Sequence, residues 1–554
     1  MDNFDTPFPH AFLEGEYMVG WSPKTVDELD LIKLANCIRE KVDWERKMRD
    51  PTIVEKWKNE VIAMKPRINK IIEKFEYVLA ELEWVLANRD SVTGIEPSTV
   101  DNTYHSDRLI EESLRQELIT CVRALEDVPD SQKDWHPGSN NQVLDLVHPS
   151  LFPLVIRETP ILRNTHAATR PVANVSAGAS SSESYNHLMY FADKADLLSA
   201  DEAGAQALAP VDQFPPYAKS LNYQWLPADV SVNEQGSVQF DSYINNLHPE
   251  HYPKLYSTLE KILGKFIPMF DKVLTSLRHP RKNRIVLPDS DWYEEVVLPD
   301  GDASDYDESD SLEKIFKPFV IPQFEAPLIP PTEVKLNWRK LQVIVKLANI
   351  HLTPDKPEYP GGVWHLEGMA NERIIASGIY YYSQENITES RLNFRQAIQE
   401  PDYEQYDDTG VAVVYDLRDE EALNQNLGTI VTKESRCIGF PNTLQHQVAP
   451  FQLINPTESG HRKILVFFLV DPTVQILSSS RVPPQSRSWF LKEMDKEATC
   501  MPDLIVHKIV GMLSWPVGLE EAKKTRDLLM QERKFFVQNN NESLFERPFS
   551  LCEH

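Results

Sequence analysis

Glycine is scarce in this chain, 19 residues of 554, while proline reaches 40. Connections are therefore stiffened by fixed φ angles more than they are loosened by glycine, and they read as long but ordered. Basic residues are also in short supply: 57 Lys and Arg against 84 Asp and Glu leave a formal charge of −27. That balance repels a phosphate backbone, so nucleic acid is not an expected partner. The five cysteines, Cys37, Cys121, Cys437, Cys500 and Cys552, are odd in number, far apart and form no CxxC pair. They suit neither a disulfide framework nor a cysteine zinc site, and they point to a reducing, cytoplasmic setting with the nucleus left open. Long apolar runs are missing as well. The first residues, MDNFDTPFPHAFLEGEY, have neither a basic segment nor an apolar core, and the longest apolar run near the end is Ile464 to Val470. The expectation is no secretory signal and no membrane span.

What is present falls into regions. The length suits several average domains or one large, elaborated enzyme. Residues 1–133 read as helical. Trp57, Val61, Ile62, Ile68, Ile71, Ile72, Phe75, Val78, Leu79 and Leu82 recur at the period of one buried helical face, with Pro66 expected to break the run. A second stripe, Leu109, Ile110, Leu114, Leu118, Ile119, Val122 and Leu125, follows Ser106 and Asp107, residues suited to a helix start. Residues 134–334 are mixed loop and helix, with a polar loop at Ser176 to Ser184, a helix at 250 to 276, and a strongly acidic, solvated segment at Leu298 to Glu313. From Leu336 the segments LQVIVKLANIHL, RIIASGIYYYS, VAVVYDL, SRCIGF and KILVFFLV are short and rich in β-branched and aromatic residues, which suggests a barrel or sandwich over 335–480. Helices return over 481–554, where Leu528, Leu529 and Phe535 suit a helix packed on the β core.

Histidine stands two residues before a carboxylate at His105-Ser-Asp107, His248-Pro-Glu250 and His365-Leu-Glu367. Composition alone yields roughly two such tripeptides, so context has to decide among them. The first reads as a helix start with Asp107 as a first-turn acid, and the second as another helix start through its proline. The third lies in the β region, where side chains at i and i+2 leave one face and can converge on an ion. His446, in NTLQHQVAPF, could supply a second imidazole. Two histidines and one carboxylate form the facial triad of non-haem Fe(II), which leaves positions open for a bidentate 2-oxo acid and dioxygen. Arg462 should share a strand face with Ile464, Val466 and Phe468, and its planar guanidinium suits the distal carboxylate of such an acid. His461 should face the other way. Asn371, Arg373, Tyr380, Tyr382, Asn393 and Arg395 flank the triad as further candidates for co-substrate or substrate contact, and Trp364 as a shield or packing residue.

These residues resemble the Fe(II)/2-oxoglutarate-dependent oxygenase superfamily. A closer resemblance, to a large and mainly fungal family of unknown function, rests on DWHPGSNNQVLDLVHPSLFPLV, QWLPAD, SYINNLHP, GGVWHLEGMANERIIASGIYYYSQENITESRLNFR, FPNTLQHQVAPFQL, GHRKILVFFLVDP and EEAKKTRDLLMQERK. The superfamily resemblance implies decarboxylation of 2-oxoglutarate to succinate, coupled to hydroxylation or desaturation of a substrate. It assigns iron to His365, Glu367 and His446, and the co-substrate's C5 carboxylate to Arg462. The sequence departs from the commoner pattern in having glutamate rather than aspartate at 367, and Ile464 where a serine often follows the arginine.

The combined expectation is an α+β protein with a double-stranded β-helix core, jelly-roll or cupin-like, and helical N-terminal and C-terminal elaborations. Its expected activity is that of a dioxygenase using Fe(II) and 2-oxoglutarate on a small molecule, with a protein substrate less favoured. Two alternatives stay open: a non-catalytic interaction protein on a degenerate barrel, and a cupin-like metal oxygenase that needs no 2-oxoglutarate. Neither the substrate nor the oligomeric state is legible.

Overall fold

The computed structural model describes residues 4–12, 21–63, 70–163, 197–287, 292–297, 312–317, 320–328, 330–404, 406–497 and 503–551. Five helices frame the sheets and the site: α1 (Val26–Arg39), α2 (Ile71–Ala87), α3 (Glu112–Glu126), α4 (Pro253–Arg278) and α5 (Leu519–Asn540). Twelve strands build the two principal sheets: β1 (Glu96–Pro97), β2 (Tyr104–Ser106), β3 (Val143–Val147), β4 (Ala228–Val232), β5 (Val238–Phe240), β6 (Lys340–Leu352), β7 (Ile374–Glu385), β8 (Ser390–Ala397), β9 (Asn424–Thr432), β10 (Cys437–Pro441), β11 (Gln445–Val448) and β12 (Gly460–Val470).

The chain is α+β, and its larger sheet is antiparallel with the order β1-β2-β10-β7-β12-β6-β4-β5, β3 pairing with β6 beside β4. The smaller sheet has the order β9-β8-β11. Alternation along the long strands separates two cores. Val343, Val345, Leu347, Tyr380, Tyr382, Leu465, Phe467 and Leu469 join α3 and α4 in one buried cluster. Their neighbours Ile344, Ile379, Tyr381, Val466 and Phe468 join Leu392, Phe394, Leu427 and Ile430 of the smaller sheet in another. The larger sheet thus has a helical side and an inner side facing the smaller sheet, as a two-residue side-chain period requires.

Helix α4 starts with Pro253 at its first position, where the missing N–H is harmless. Leu255, Leu259, Ile262, Leu263, Phe266, Phe270, Val273 and Leu277 form its buried stripe. It lies close against the sheet because two glycines, Gly378 and Gly439, stand opposite each other in adjoining strands. A Cβ on either would come within 2.7 Å of Phe266 or Met269 respectively.

Several expectations change. The first 133 residues are not wholly helical: β1 and β2 extend the larger sheet, and β2 pairs with β10. His105 therefore lies on a strand, helix α3 begins only at Glu112, and Asp107 is no first-turn acid. Asp107 instead receives Arg436 Nε at 2.6 Å and Nη2 at 2.8 Å. Of the first helical stripe Trp57, Val61, Phe75, Val78 and Leu82 are buried, whereas Ile62 and Ile72 are exposed. On α5, Leu529 and Phe536 are buried, while Leu528 and Phe535 face solvent. The segment VAVVYDL is mostly helix, Asp408–Tyr415, where it packs with Trp292 and Phe549. Pro66, Ser176 to Ser184 and residues 298–311 lie outside the described residues, and Leu312–Phe316 is a strand paired with Tyr293–Val297. Among the described residues no helix is long and apolar enough to cross a membrane.

Candidate metal centre

His365 and His446 are brought together by the main chain. They form an isolated antiparallel bridge in which His365 N–H donates to His446 O at 3.2 Å and His446 N–H to His365 O at 3.1 Å. Directly opposed residues project to the same side, and the two imidazole centroids stand 4.4 Å apart. His365 is thus held by a single bridge rather than by a regular strand. Two residues on, past the oppositely buried Leu366, Glu367 turns its carboxylate between the rings: Oε1 is 3.3 Å from His446 Nε2 and 3.7 Å from His365 Nε2. One ligand atom from each of the three lies within 4.8 Å of the others. His446 is buried and His365 partly open, so the cluster is reached from the His365 side.

Neighbours set the orientation of these groups. His365 Nδ1 is 2.8 Å from the carbonyl of Val363, an acceptor only, which places the ring proton on Nδ1 and leaves a lone pair on Nε2. Asn442 holds the Glu367 main chain from both sides, accepting its N–H at 2.9 Å and donating to its carbonyl at 2.9 Å. Burial works against charge on all three groups. At Glu367 the two imidazoles outweigh it and hold the carboxyl well below its usual range, and at His365 the carboxylate outweighs it and raises the ring's pKa. For His446, burial and the neighbouring His365 prevail and lower it. The result is a carboxylate flanked by two imidazoles, an N2O donor set suited to a divalent transition metal.

Arg462 leaves β12 on the inner side, with Val466 and Phe468 further along the same face. It is buried, with its guanidinium 5.4 Å from the Tyr381 ring centroid and 5.3 Å from that of Phe451. Nη1 donates to Ser390 Oγ at 2.7 Å, and Nε has no partner. Burial lowers its pKa, and the groups opposing that are the phenols of Tyr381 and Tyr359 rather than a carboxylate. Burying a cation in this way is costly unless an anion joins it.

The remaining candidates are not brought to the cluster. Tyr380 and Tyr382 point to the helical side, and Tyr382 Oη donates to Asn349 there at 3.2 Å. It is Tyr381, between them, that faces inward. Asn371 is tied to the Ser220 main chain, accepting its N–H at 2.7 Å and donating to its carbonyl at 2.9 Å. Arg373 is paired with Asp471 at 3.6 Å and lies over Phe214. Asn393 and Arg395 alternate with the inward Phe394; Arg395 bonds Gln445 and Glu546 and covers Trp364, which therefore packs. His461 bonds Ser383 on the side opposite Arg462. Asn442 and Ser390 have no signal in the sequence alone, because only the register of neighbouring strands relates them to the cluster and to Arg462.

This fold and site define an α+β protein with a partly buried His-Glu-His cluster at the inner side of two antiparallel sheets. The chain belongs to the DUF4246 family, described as a protein of unknown function, whose model matches residues 73–493; the model of the family's N-terminal domain, also of unknown function, matches residues 2–60. No curated protein matches. Solved structures with partial likeness include IDO from Bacillus thuringiensis, 10% identical with a TM-score of 0.16, where the match spans 24% of this chain and 47% of that one. A second is the Fe(II)/(alpha)ketoglutarate-dependent dioxygenase TqaL, 10% identical with a TM-score of 0.22, over 66% and 93% of the two chains. A third is a bsmA homolog from Methylobium petroleophilum PM1, 8% identical with a TM-score of 0.20, over 44% and 70%. Likeness at this level carries no argument about activity.

Proposed function

We propose that this protein is an Fe(II)- and 2-oxoglutarate-dependent dioxygenase with a double-stranded β-helix core, acting on a small molecule. The observation that carries the reading is a pairing on the inner side of the sheets: two imidazoles and a carboxylate converge, and a buried guanidinium has no carboxylate partner among the described residues. In this reading His365, Glu367 and His446 hold iron and Arg462 holds the co-substrate's distal carboxylate. Iron and 2-oxoglutarate, once bound, would supply a reaction with dioxygen in which one oxygen atom goes to the succinate formed with carbon dioxide and the other serves to oxidise a substrate C–H group.

The chain's own residues have narrower tasks. The Val363 carbonyl keeps the His365 proton away from the metal, so the ring arrives with its lone pair ready. Asn442 fixes the main chain on both sides of Glu367 and with it the carboxylate's direction. Arg462 offers a planar donor pair in apolar surroundings, where a carboxylate gains most from it. Ser390, whose hydroxyl already touches that guanidinium, can donate the hydrogen bond that Ile464 lacks. Phe451 and Tyr381 shield this ion pair from water.

The test is succinate formation by anaerobically iron-loaded protein given 2-oxoglutarate and oxygen, beside Glu367→Ala. Succinate that needs both iron and Glu367 is the expected result. Tight iron binding with no 2-oxoglutarate affinity would instead indicate a metal oxygenase of another kind, and failure to bind iron would favour the interaction protein.

A further inference from the structure

The described residues hold a second group of two imidazoles and a carboxylate, outside the cluster above: His136, Asp145 and His148, whose ligand atoms also lie within 4.8 Å of one another. Asp145 on β3 is opposite Ala348 in register, so its side chain leaves the larger sheet on the face that carries Ile344 and Lys346, the inner one. One carboxylate oxygen, Oδ2, is 2.8 Å from His136 Nδ1. The other, Oδ1, is buried without a partner, and the side chain is only 1% exposed. A simple His136–Asp145 ion pair accounts for Oδ2 and leaves Oδ1 buried without a partner beside a second imidazole, His148. His148, packed edge-on against Trp225, has its ring 5.1 Å from that of His136.

We propose that His136, Asp145 and His148 form a second site for a divalent transition metal, weaker than the first. The donor set, two imidazoles and a carboxylate, suits Zn(II), Fe(II) or Co(II) rather than calcium or magnesium. The difference in strength follows from where the ring protons rest. His365 already donates its Nδ1 proton to a carbonyl, so its Nε2 is free for a metal. His148 Nδ1 instead accepts the Ser150 N–H at 3.2 Å, which keeps the ring proton on Nε2. A metal on Nε2 must move that proton to Nδ1 and give up the Ser150 bond, and at His136 it must displace the proton shared with Asp145. Loss of one ordinary hydrogen bond corresponds to about a tenfold weaker site. This inference stands apart from the oxygenase reading, because it uses none of that reading's residues.

The experiment is a Zn(II) titration of chelator-treated full-length protein by competition with a chromophoric chelator, with bound metal counted by elemental analysis. Wild type should take two equivalents in two affinity classes separated by tenfold or more. Asp145→Asn should lose the weaker class and keep the tighter, and Glu367→Ala should do the reverse. His136→Gln, at the more exposed position, is the second variant, and thermal melts verify that each one folds. A wild type whose bound metal is all retained in Asp145→Asn overturns the proposal, and so does a weaker class that survives Asp145→Asn and His136→Gln, which is an adventitious ion only. A single class that Asp145→Asn abolishes would overturn the first site instead. Loss of the tighter class with Glu367→Ala tests the first site alone, so the two readings fail separately.

Discussion

In the helical layer at the front of the chain Arg284 is buried among acids, with Asp101 at 3.0 and 3.1 Å, Glu81 at 3.0 Å and Glu28 at 3.3 Å. Lys24 joins the same set through Glu28 at 2.8 Å and Asp101 at 2.9 Å, and nearby Lys74 lies between Asp27 and Asp30. On the inner side of the sheets Arg462 is equally buried, yet has one hydroxyl for company and an Nε with none. The first guanidinium is saturated by its own chain, and the second is left with capacity to spare. A buried charge compensated internally fixes how elements pack, whereas one left uncompensated makes sense when the missing partner comes from outside.

Substitutions should separate the two kinds of arginine. Arg284→Met strands several buried carboxylates, and a loss of roughly 3–5 kcal/mol is expected in a urea unfolding curve. Arg462→Met should do the opposite to the fold: without co-substrate, stability should hold or rise by on the order of 1 kcal/mol, since a desolvated unpaired charge is removed. In the same variant 2-oxoglutarate should bind roughly 30-fold more weakly or worse, read by anaerobic titration of the iron-loaded protein. Unchanged affinity would remove Arg462 from the site. Gly378→Ala, which drives a methyl group toward Phe266, should cost about 1–3 kcal/mol with metal stoichiometry intact.

The smallest effect concerns pH. Glu81 and Asp101 are buried, but Arg284 and its companion cations hold both carboxyls below their usual values. Their contribution to stability is therefore complete above the unfolded-state range near pH ~4 and is lost as pH falls toward the depressed values. Wild type should lose stability steeply on acidification below pH ~4, and Arg284→Met should show a shallower limb. Equal slopes would mean that other groups carry the acid sensitivity.

How far the sequence can be read varies with the range of the interaction. His365, Glu367, His446 and Arg462 stand in a distinctive order, and the strand period assigns Arg462 to the face of Val466 and Phe468, where it is found. The same rule puts Tyr380 and Tyr382 on one face of β7 and Tyr381, the arginine's aromatic neighbour, on the other. Deciding which of the two faces is inner requires the register of β7 against β12, which one strand alone does not contain. The early strands β1 and β2 are hidden for a similar reason. They are too short for a periodic signal and exist because β10 offers an edge. His136 and His148 lie in a segment whose residues are distinctive but whose contacts are not local. Their meeting with Asp145 depends on a turn at Gly138 and on the pairing of β3 with β6.

The paired glycines bear on where a search for altered metal affinity should look. With no side chain between α4 and the strands at Gly378 and Gly439, Met269 and Phe266 rest almost directly on sheet backbone. Three residues past Gly439 the chain reaches Asn442, the clamp on Glu367. A bulkier residue at 269, on the far side of the sheet from the cluster, would push on that backbone and tilt the carboxylate without touching it. Selection for weaker or altered metal preference should therefore return variants from the back of the sheet as well as from the ligands themselves.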